Sequence, residues 1–185
     1  MFVGRLVEKK GCAYLLRAMR SVQQSFPAAR LVVIGDGPER SSLEREAAEY
    51  KLSCDFLGAQ SAEKIRTQLA RARVFCVPST KAQTGDSEGL GIVFAEAQAV
   101  GVPVVSTAHG GIPEVVCHGK TGLLAPEKDS EALAHHIQRF FADDIFWENC
   151  SKQAIRWIAD KFDIRRQTTE LELIYKGVIQ RGVTS

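Results

Sequence analysis

Short apolar runs alternate along this chain with longer stretches in which apolar residues recur every three or four positions. The first run, Phe2-Val3-Gly4, gives way to Gly11–Phe26, where Leu15, Leu16, Met19, Val22 and Phe26 share one helical face. The β-branched run over residues 29–35 predicts a strand, closed by the turn residues Asp36-Gly37-Pro38-Glu39. A charged helix over about Arg40–Tyr50 follows, then a short strand at Cys54–Gly58, a helix from a Ser61 cap to about Ala72, and a fourth strand over residues 74–79. Further on, the spacing predicts a helix over Gly91–Ala99, a fifth strand over 102–107 and a sixth at Gly122–Ala125. Between the last two lies a single helical turn, with Pro113 near its start, where a missing N–H costs little. From Asp129 onward the chain reads as helix, over 129–142, 144–161 and 163–181.

Strands apolar on both faces, alternating with helices, predict an α/β fold with a parallel sheet covered on both sides. In such sheets ligands bind beyond the C-terminal ends of the strands. That rule selects the loops at residues 4–11, 35–39, 57–60 and 79–91. The chain opens inside its first strand and ends in a long helical tail, so it reads as half of a larger assembly.

Composition narrows the function. The 185 residues are 45% hydrophobic and 25% charged, ordinary for a soluble globular domain with a core of useful size. A net charge of +2 gives no basic field of the kind nucleic acid requires. No apolar run approaches the ~18 residues of a membrane span. The opening MFVGRLVEKKG reads as core strand and charged loop, not as a secretory signal. Cys12, Cys54, Cys76, Cys117 and Cys150 are odd in number, scattered and free of C-x-x-C spacing. They are expected to be reduced thiols, several buried as small apolar residues, with no metal site among them.

Three features on the selected edge carry chemistry. Arg5 and Lys10 lie five positions apart after the first strand, where a guanidinium fork and an ammonium can clamp a diphosphate. A solvated basic loop is the alternative; Lys9, beside them, is expected to face water. Gly89 and Gly91 precede a helix start, whose unpaired N–H groups and positive dipole end suit an anion, or they merely shape a turn. Glu88 and Glu96 stand eight positions apart around those glycines. Helical side chains lean back toward the N-terminus, so Glu96 can meet a ligand at the same edge and accept two hydrogen bonds from a vicinal diol. Its neighbours Val93, Phe94, Ala95 and Ala97 predict that it faces inward, where a carboxylate needs a partner.

Two apparent motifs fail. Gly119-Lys120-Thr121 ends like a P-loop, but Glu114 stands where its first glycine belongs. Gly35-Asp36-Gly37 opens like a dinucleotide fingerprint, but Arg40 replaces the last glycine. Both are read as turns. His109, His118, His135 and His136 show no ligand spacing; His109 is assigned a loop role, and His135 and His136 surface or partly buried positions.

In combination, FVGRLVEKKG, LVVIGDGPE, FLGA, EGLGIVFAEAQAVGVPVVST, GGIPEVV and GKTGLLAP resemble, in order and spacing, the C-terminal donor-binding domain of retaining GT-B glycosyltransferases of sequence family four (glycosyl transferases group 1). The resemblance is dense from residue 2 to about 142 and looser through the tail. It implies a Rossmann-like, doubly wound, six-stranded parallel sheet ordered 3-2-1-4-5-6, one half of a GT-B fold with a helical C-terminal tail. Residues 1–162 would form the nucleotide-sugar-binding domain and 163–185 a helix packing toward an absent N-terminal acceptor domain. Arg5 and Lys10 would contact the donor diphosphate and stabilise the departing nucleotide, Glu88 would lie against the sugar, and Glu96 would hold the ribose hydroxyls. Backbone around Gly89, Leu90, Gly91 and Ile92 would meet sugar and phosphate oxygens, while Gly35, Phe56 and Leu57 would border the base.

The implied activity is metal-independent, cofactor-free transfer of a hexose-like group from a UDP- or GDP-linked donor, with retention, to a glycan, lipid-linked or small-molecule acceptor. The implied setting is cytoplasmic, with the parent peripheral at a membrane or not. This half is expected to bind donor weakly and to transfer little alone. Leu90 replaces the usual aromatic between the glycines, and the loop STKAQTGDSEG is longer than the commonest form. A GT-B-like sugar-nucleotide epimerase and a non-catalytic nucleotide-sugar-binding module remain open alternatives.

Overall fold

The computed structural model describes residues 1–86 and 89–182. The strands are β1 (Phe2–Val3), β2 (Leu31–Ile34), β3 (Cys54–Phe56), β4 (Phe75–Cys76), β5 (Val104–Thr107) and β6 (Gly122–Ala125). The helices are α1 (Cys12–Ser25), α2 (Arg40–Glu49), α3 (Ala62–Leu69), α4 (Ile92–Ala99), α5 (Ile112–Val115), α6 (Ser130–Ala142), α7 (Asp144–Lys161) and α8 (Ile164–Gly182). Each strand and helix expected from the residue pattern is present, with ends shifted by a few positions.

All ladders are parallel. β1 pairs β2 in the register Phe2–Val33, and β2 pairs β3 through Leu31–Cys54. β5 pairs β4 through Val104–Phe75 and β6 through Val104–Gly122. The two three-stranded ladders meet at β1 and β4, where the Cys76 N–H donates to the Met1 carbonyl at 2.8 Å. The order is therefore 3-2-1-4-5-6, with the crossover direction reversing between β1 and β4.

The fourth strand is shorter than its apolar run predicts, because Pro78 has no N–H to give to a ladder. The carbonyls beyond Cys76 are satisfied by side chains from β5. Ser106 Oγ donates to the Val77 carbonyl at 2.7 Å, and Thr107 Oγ1 donates to that of Ser79. This explains two hydroxyls that are fully buried in an otherwise apolar strand.

The core is built from the faces the periodicity marked. Helix α1 buries Cys12, Leu15, Leu16, Met19 and Val22, and packs against α6, which contributes Leu133, Ile137 and Phe140. On α4, Phe94 is wholly buried, with its ring edge-on to Phe75 of β4 at 6.1 Å between centroids. Helix α7 lies against α4, and Trp157 on it donates to the Val115 carbonyl at 2.9 Å. All five thiols are free; Cys12, Cys76 and Cys150 are buried, and burial pushes Cys76 up to about 12 and Cys150 to about 11.

Ser61 caps α3, its Oγ accepting the Lys64 N–H at 3.3 Å. Ser61→Ala is expected to lower unfolding free energy by about 0.5–1 kcal/mol in urea titrations; an unchanged midpoint would remove the cap from the account. At the sheet's outer edge, the Leu124 N–H donates to His118 Nδ1 at 3.0 Å, and His136 Nε2 lies 3.3 Å from the Leu124 carbonyl. Helix α8 exposes Leu171, Leu173, Ile174, Tyr175 and Val178. Among the described residues, no helix is long and apolar enough to cross a membrane.

Candidate functional site at the strand ends

The loops following β1, β2 and β3 are knitted edge to edge. The Gly4 N–H donates to the Ile34 carbonyl at 3.0 Å, and the Gly35 N–H to that of Gly58 at 2.9 Å. Gly35 has φ 136°, and a Cβ there would stand 1.9 Å from the Gly4 carbonyl oxygen, so only glycine lets β2 leave the sheet this close to β1. Leu57 is half-exposed beside this seam, and Phe56 is partly buried.

The basic residues stand on the turn after β1. Residues Glu8–Lys10 form one turn of 3-10 helix, where the sequence had indicated only a charged loop. Arg5 is exposed before that turn and Lys10 half-buried at its end. The Lys10 stem runs over Gly4, its Cδ 3.6 Å from where a Gly4 Cβ would be, so it rises over the end of β1. Gly11 ends the turn at φ 66°, and a Cβ there would meet the Pro78 carbonyl oxygen at 2.0 Å. The β1 turn is thus pressed onto the chain leaving β4.

Lys9 does not simply face water. Its ammonium lies 3.0 Å from Asp86, and its carbonyl accepts the Thr80 N–H at 2.9 Å. Glu8 accepts the Gln83 N–H with both carboxylate oxygens, each at 3.2 Å. The long loop after β4 is therefore tied to the turn carrying Arg5 and Lys10. These ties join residues more than seventy positions apart, which no local pattern records.

Helix α4 begins at Gly91, held at φ 69°, with Leu90 at 39% and Ile92 at 71% exposure. The Phe94 N–H closes onto the Gly91 carbonyl at 3.0 Å, and the N–H groups before it have no intrahelical acceptor, the arrangement that favours anions. Glu96 is exposed, which corrects the expectation that it faces inward. The buried face of α4 is Phe94, Ala97 and Gln98, and helical rotation carries position 96 away from it. Glu88 lies outside the described residues.

The structure pairs two side chains at the strand ends: His109, to which the sequence assigned a loop role, and Glu127, which it did not single out. His109, after β5, is only 7% exposed, and its Nδ1 lies 2.7 Å from Glu127 Oε1. Glu127, after β6, also accepts the Lys81 N–H through Oε2 at 2.9 Å. The Lys81 N–H first, and then the His109 side chain, hold the Glu127 carboxyl below the ordinary carboxylate range. His109 is therefore a buried hydrogen-bonded side chain as well as a loop residue. The available signal was position: each follows directly on a strand end. The remaining histidines lie where expected, His135 exposed and His136 partly buried. Both failed motifs are turns: Asp36 accepts the Gly37 N–H at 2.7 Å, and Gly119 takes φ 76°.

The sequence profile of the family described as glycosyl transferases group 1 matches residues 1–157. A putative colanic acid biosynthesis glycosyltransferase, WcaL of Salmonella typhimurium, is 39% identical over 140 residues, covering 75% of this chain and 34% of that protein. A GDP-mannose-dependent alpha-(1-6)-phosphatidylinositol monomannoside mannosyltransferase of Mycolicibacterium smegmatis is 33% identical over 178 residues, covering 95% of this chain and 47% of that protein. The crystal structure of the C-terminal domain of a glycosyl transferase group 1 family protein, LpcC of Francisella tularensis, superposes with a TM-score of 0.78 at 21% identity. That match covers 88% of this chain and 85% of the other. The chain thus spans about a third to a half of the length of these two curated relatives.

Proposed function

Because this chain belongs to the glycosyl transferases of group 1, we propose that it is the donor-binding half of a retaining transferase that moves a hexose-like group from a UDP- or GDP-linked sugar. The observation that carries this reading is the convergence of the Arg5–Lys10 turn, the Gly35 seam and the α4 N-terminus on the C-terminal edge of the sheet.

In this reading the base lies along Gly35, Phe56 and Leu57. The diphosphate meets Arg5, Lys10 and the N–H groups around Gly89, Leu90, Gly91 and Ile92. Glu96, exposed a little over one turn into α4, accepts from the ribose hydroxyls, and Glu88 lies against the sugar. Charge that develops on the departing diphosphate as the glycosidic bond breaks is stabilised by the two cations and the helix terminus. The side chains assigned here supply positioning and electrostatics, with no metal among them. Helix α8, with its exposed apolar side chains, packs toward an N-terminal acceptor domain, giving units 1–162 and 163–185.

The GDP-mannose dependence of the mycobacterial relative supports a guanosine donor, and the colanic acid relative supports an acceptor in polysaccharide or glycolipid assembly. A thermal-shift panel of UDP, GDP, ADP and their sugars tests the donor site. One nucleotide series at 100 Kd is expected to stabilise the chain by about 2.7 kcal/mol. No shift with any member at millimolar concentration would remove the donor-site reading.

A further inference from the structure

We propose that Glu127 is a positioning residue of the donor site, holding both ends of the loop that leads from β4 into α4. At the start of the loop, Glu127 Oε2 accepts the Lys81 N–H at 2.9 Å. At its end the tether is indirect. Glu127 Oε1 meets His109 Nδ1 at 2.7 Å, and His109 fixes the turn after β5, its carbonyl accepting the Ile112 N–H at 3.1 Å. Gly111 in that turn is packed on the far end of the loop: a Cβ on it would lie 3.2 Å from the Gly89 carbonyl oxygen and 3.3 Å from Leu90 Cα. One carboxylate, on a strand end remote in sequence from the loop, thereby links Lys81 to the turn that packs on Gly89 and Leu90.

The middle of the loop is held independently. Glu8 accepts the Gln83 N–H, and Lys9 pairs with Asp86. Removing Glu127 therefore loosens Lys81 and the His109 turn, and leaves the middle of the loop and the Thr80–Lys9 bond at its start in place. It leaves intact the Gly35–Gly58 seam and the Lys10 stem over Gly4, which belong to the other half of the sheet. The consequence is selective. The sugar, which in the donor-site reading lies against this loop, loses its fit, while the diphosphate keeps Arg5 and Lys10 and the base keeps the Gly35–Gly58 seam.

The inference rests on the donor-site reading and deepens it. The test is calorimetric titration of this chain with GDP, GDP-mannose, UDP and UDP-glucose. For the series that the unaltered chain binds, Glu127→Ala is expected to weaken the sugar nucleotide about tenfold, as for loss of a hydrogen bond to a charged group, and the bare diphosphate less than about threefold. Glu127→Gln keeps an acceptor oxygen for the Lys81 N–H and is expected to return sugar-nucleotide affinity to within about threefold of the original. Unchanged binding by Glu127→Ala overturns the proposal. So does an equal loss for diphosphate and sugar nucleotide, which marks general destabilisation, and so does a glutamine variant no better than alanine. Failure of the unaltered chain to bind any of the four ligands removes the donor-site reading, and this proposal with it.

Discussion

Alanine at Arg5 or at Lys10 is expected to cut sugar transfer by the complete enzyme by about 100- to 1000-fold, the scale seen when one preorganised charge stabiliser is removed. The physical case is positional. Both side chains leave the turn after β1, the Lys10 stem lies along Gly4, and Gly35 lets the β2 loop close up against the same carbonyl. A cation in that place stands at the C-terminal edge of the sheet, where ligands bind in folds of this class. Arg5 is exposed, so its loss is expected to change folding stability by no more than about 0.5 kcal/mol. Initial rates at saturating donor and acceptor, set beside urea midpoints, separate the two effects. Rates for both variants within threefold of the original would show that the basic turn lies away from the reacting diphosphate.

Phe94→Ala carries the largest expected effect on the fold, a loss of about 3–5 kcal/mol in unfolding free energy. Phe94 has no exposed surface and fixes α4 to the sheet through its edge-on contact with Phe75. Removing the ring opens a void between helix and strand that neighbours fill only partly, so lost dispersion contacts add to lost burial. Phe94→Leu retains most of the volume and is expected to lose about 1.5 kcal/mol or less. Equilibrium unfolding distinguishes them. A loss below about 1 kcal/mol for alanine would mean that α4 is seated by other contacts, and that its N-terminus is not fixed by this core.

How much of this was legible beforehand differs between elements and site. Helix α1 announced itself because Leu15, Met19 and Val22 repeat at the helical period, and β5 because Val104 and Val105 adjoin turn residues. Local pattern also marked the strand-end loops, since alternation of strand and helix fixes which loops share an edge. It did not reveal that Lys9 would find Asp86, or His109 find Glu127. Those contacts depend on how two separate loops turn after leaving the sheet, and a charged residue in a loop looks the same whether solvated or paired. Glu96 shows the opposite error. Its apolar neighbours pointed inward by average hydrophobicity, but the helix seats only the 94, 97 and 98 face. Rotation about the axis, not neighbourhood in sequence, decides what a helical side chain meets.

The two histidines at Leu124 have a consequence for how this domain behaves at high concentration. β6 ends the sheet, and a terminal strand normally offers unpaired amides on which another molecule can build. Here the outward N–H and carbonyl of Leu124 are both engaged by imidazoles, His118 from the turn before the strand and His136 from α6. A visiting chain would have to displace both rings before it could add as a seventh strand. Burial holds His136 below the ordinary imidazole range, which keeps the ring neutral and seated through physiological pH. The same two side chains that looked chemically idle in the sequence therefore serve as a stop, closing this edge of the sheet to growth.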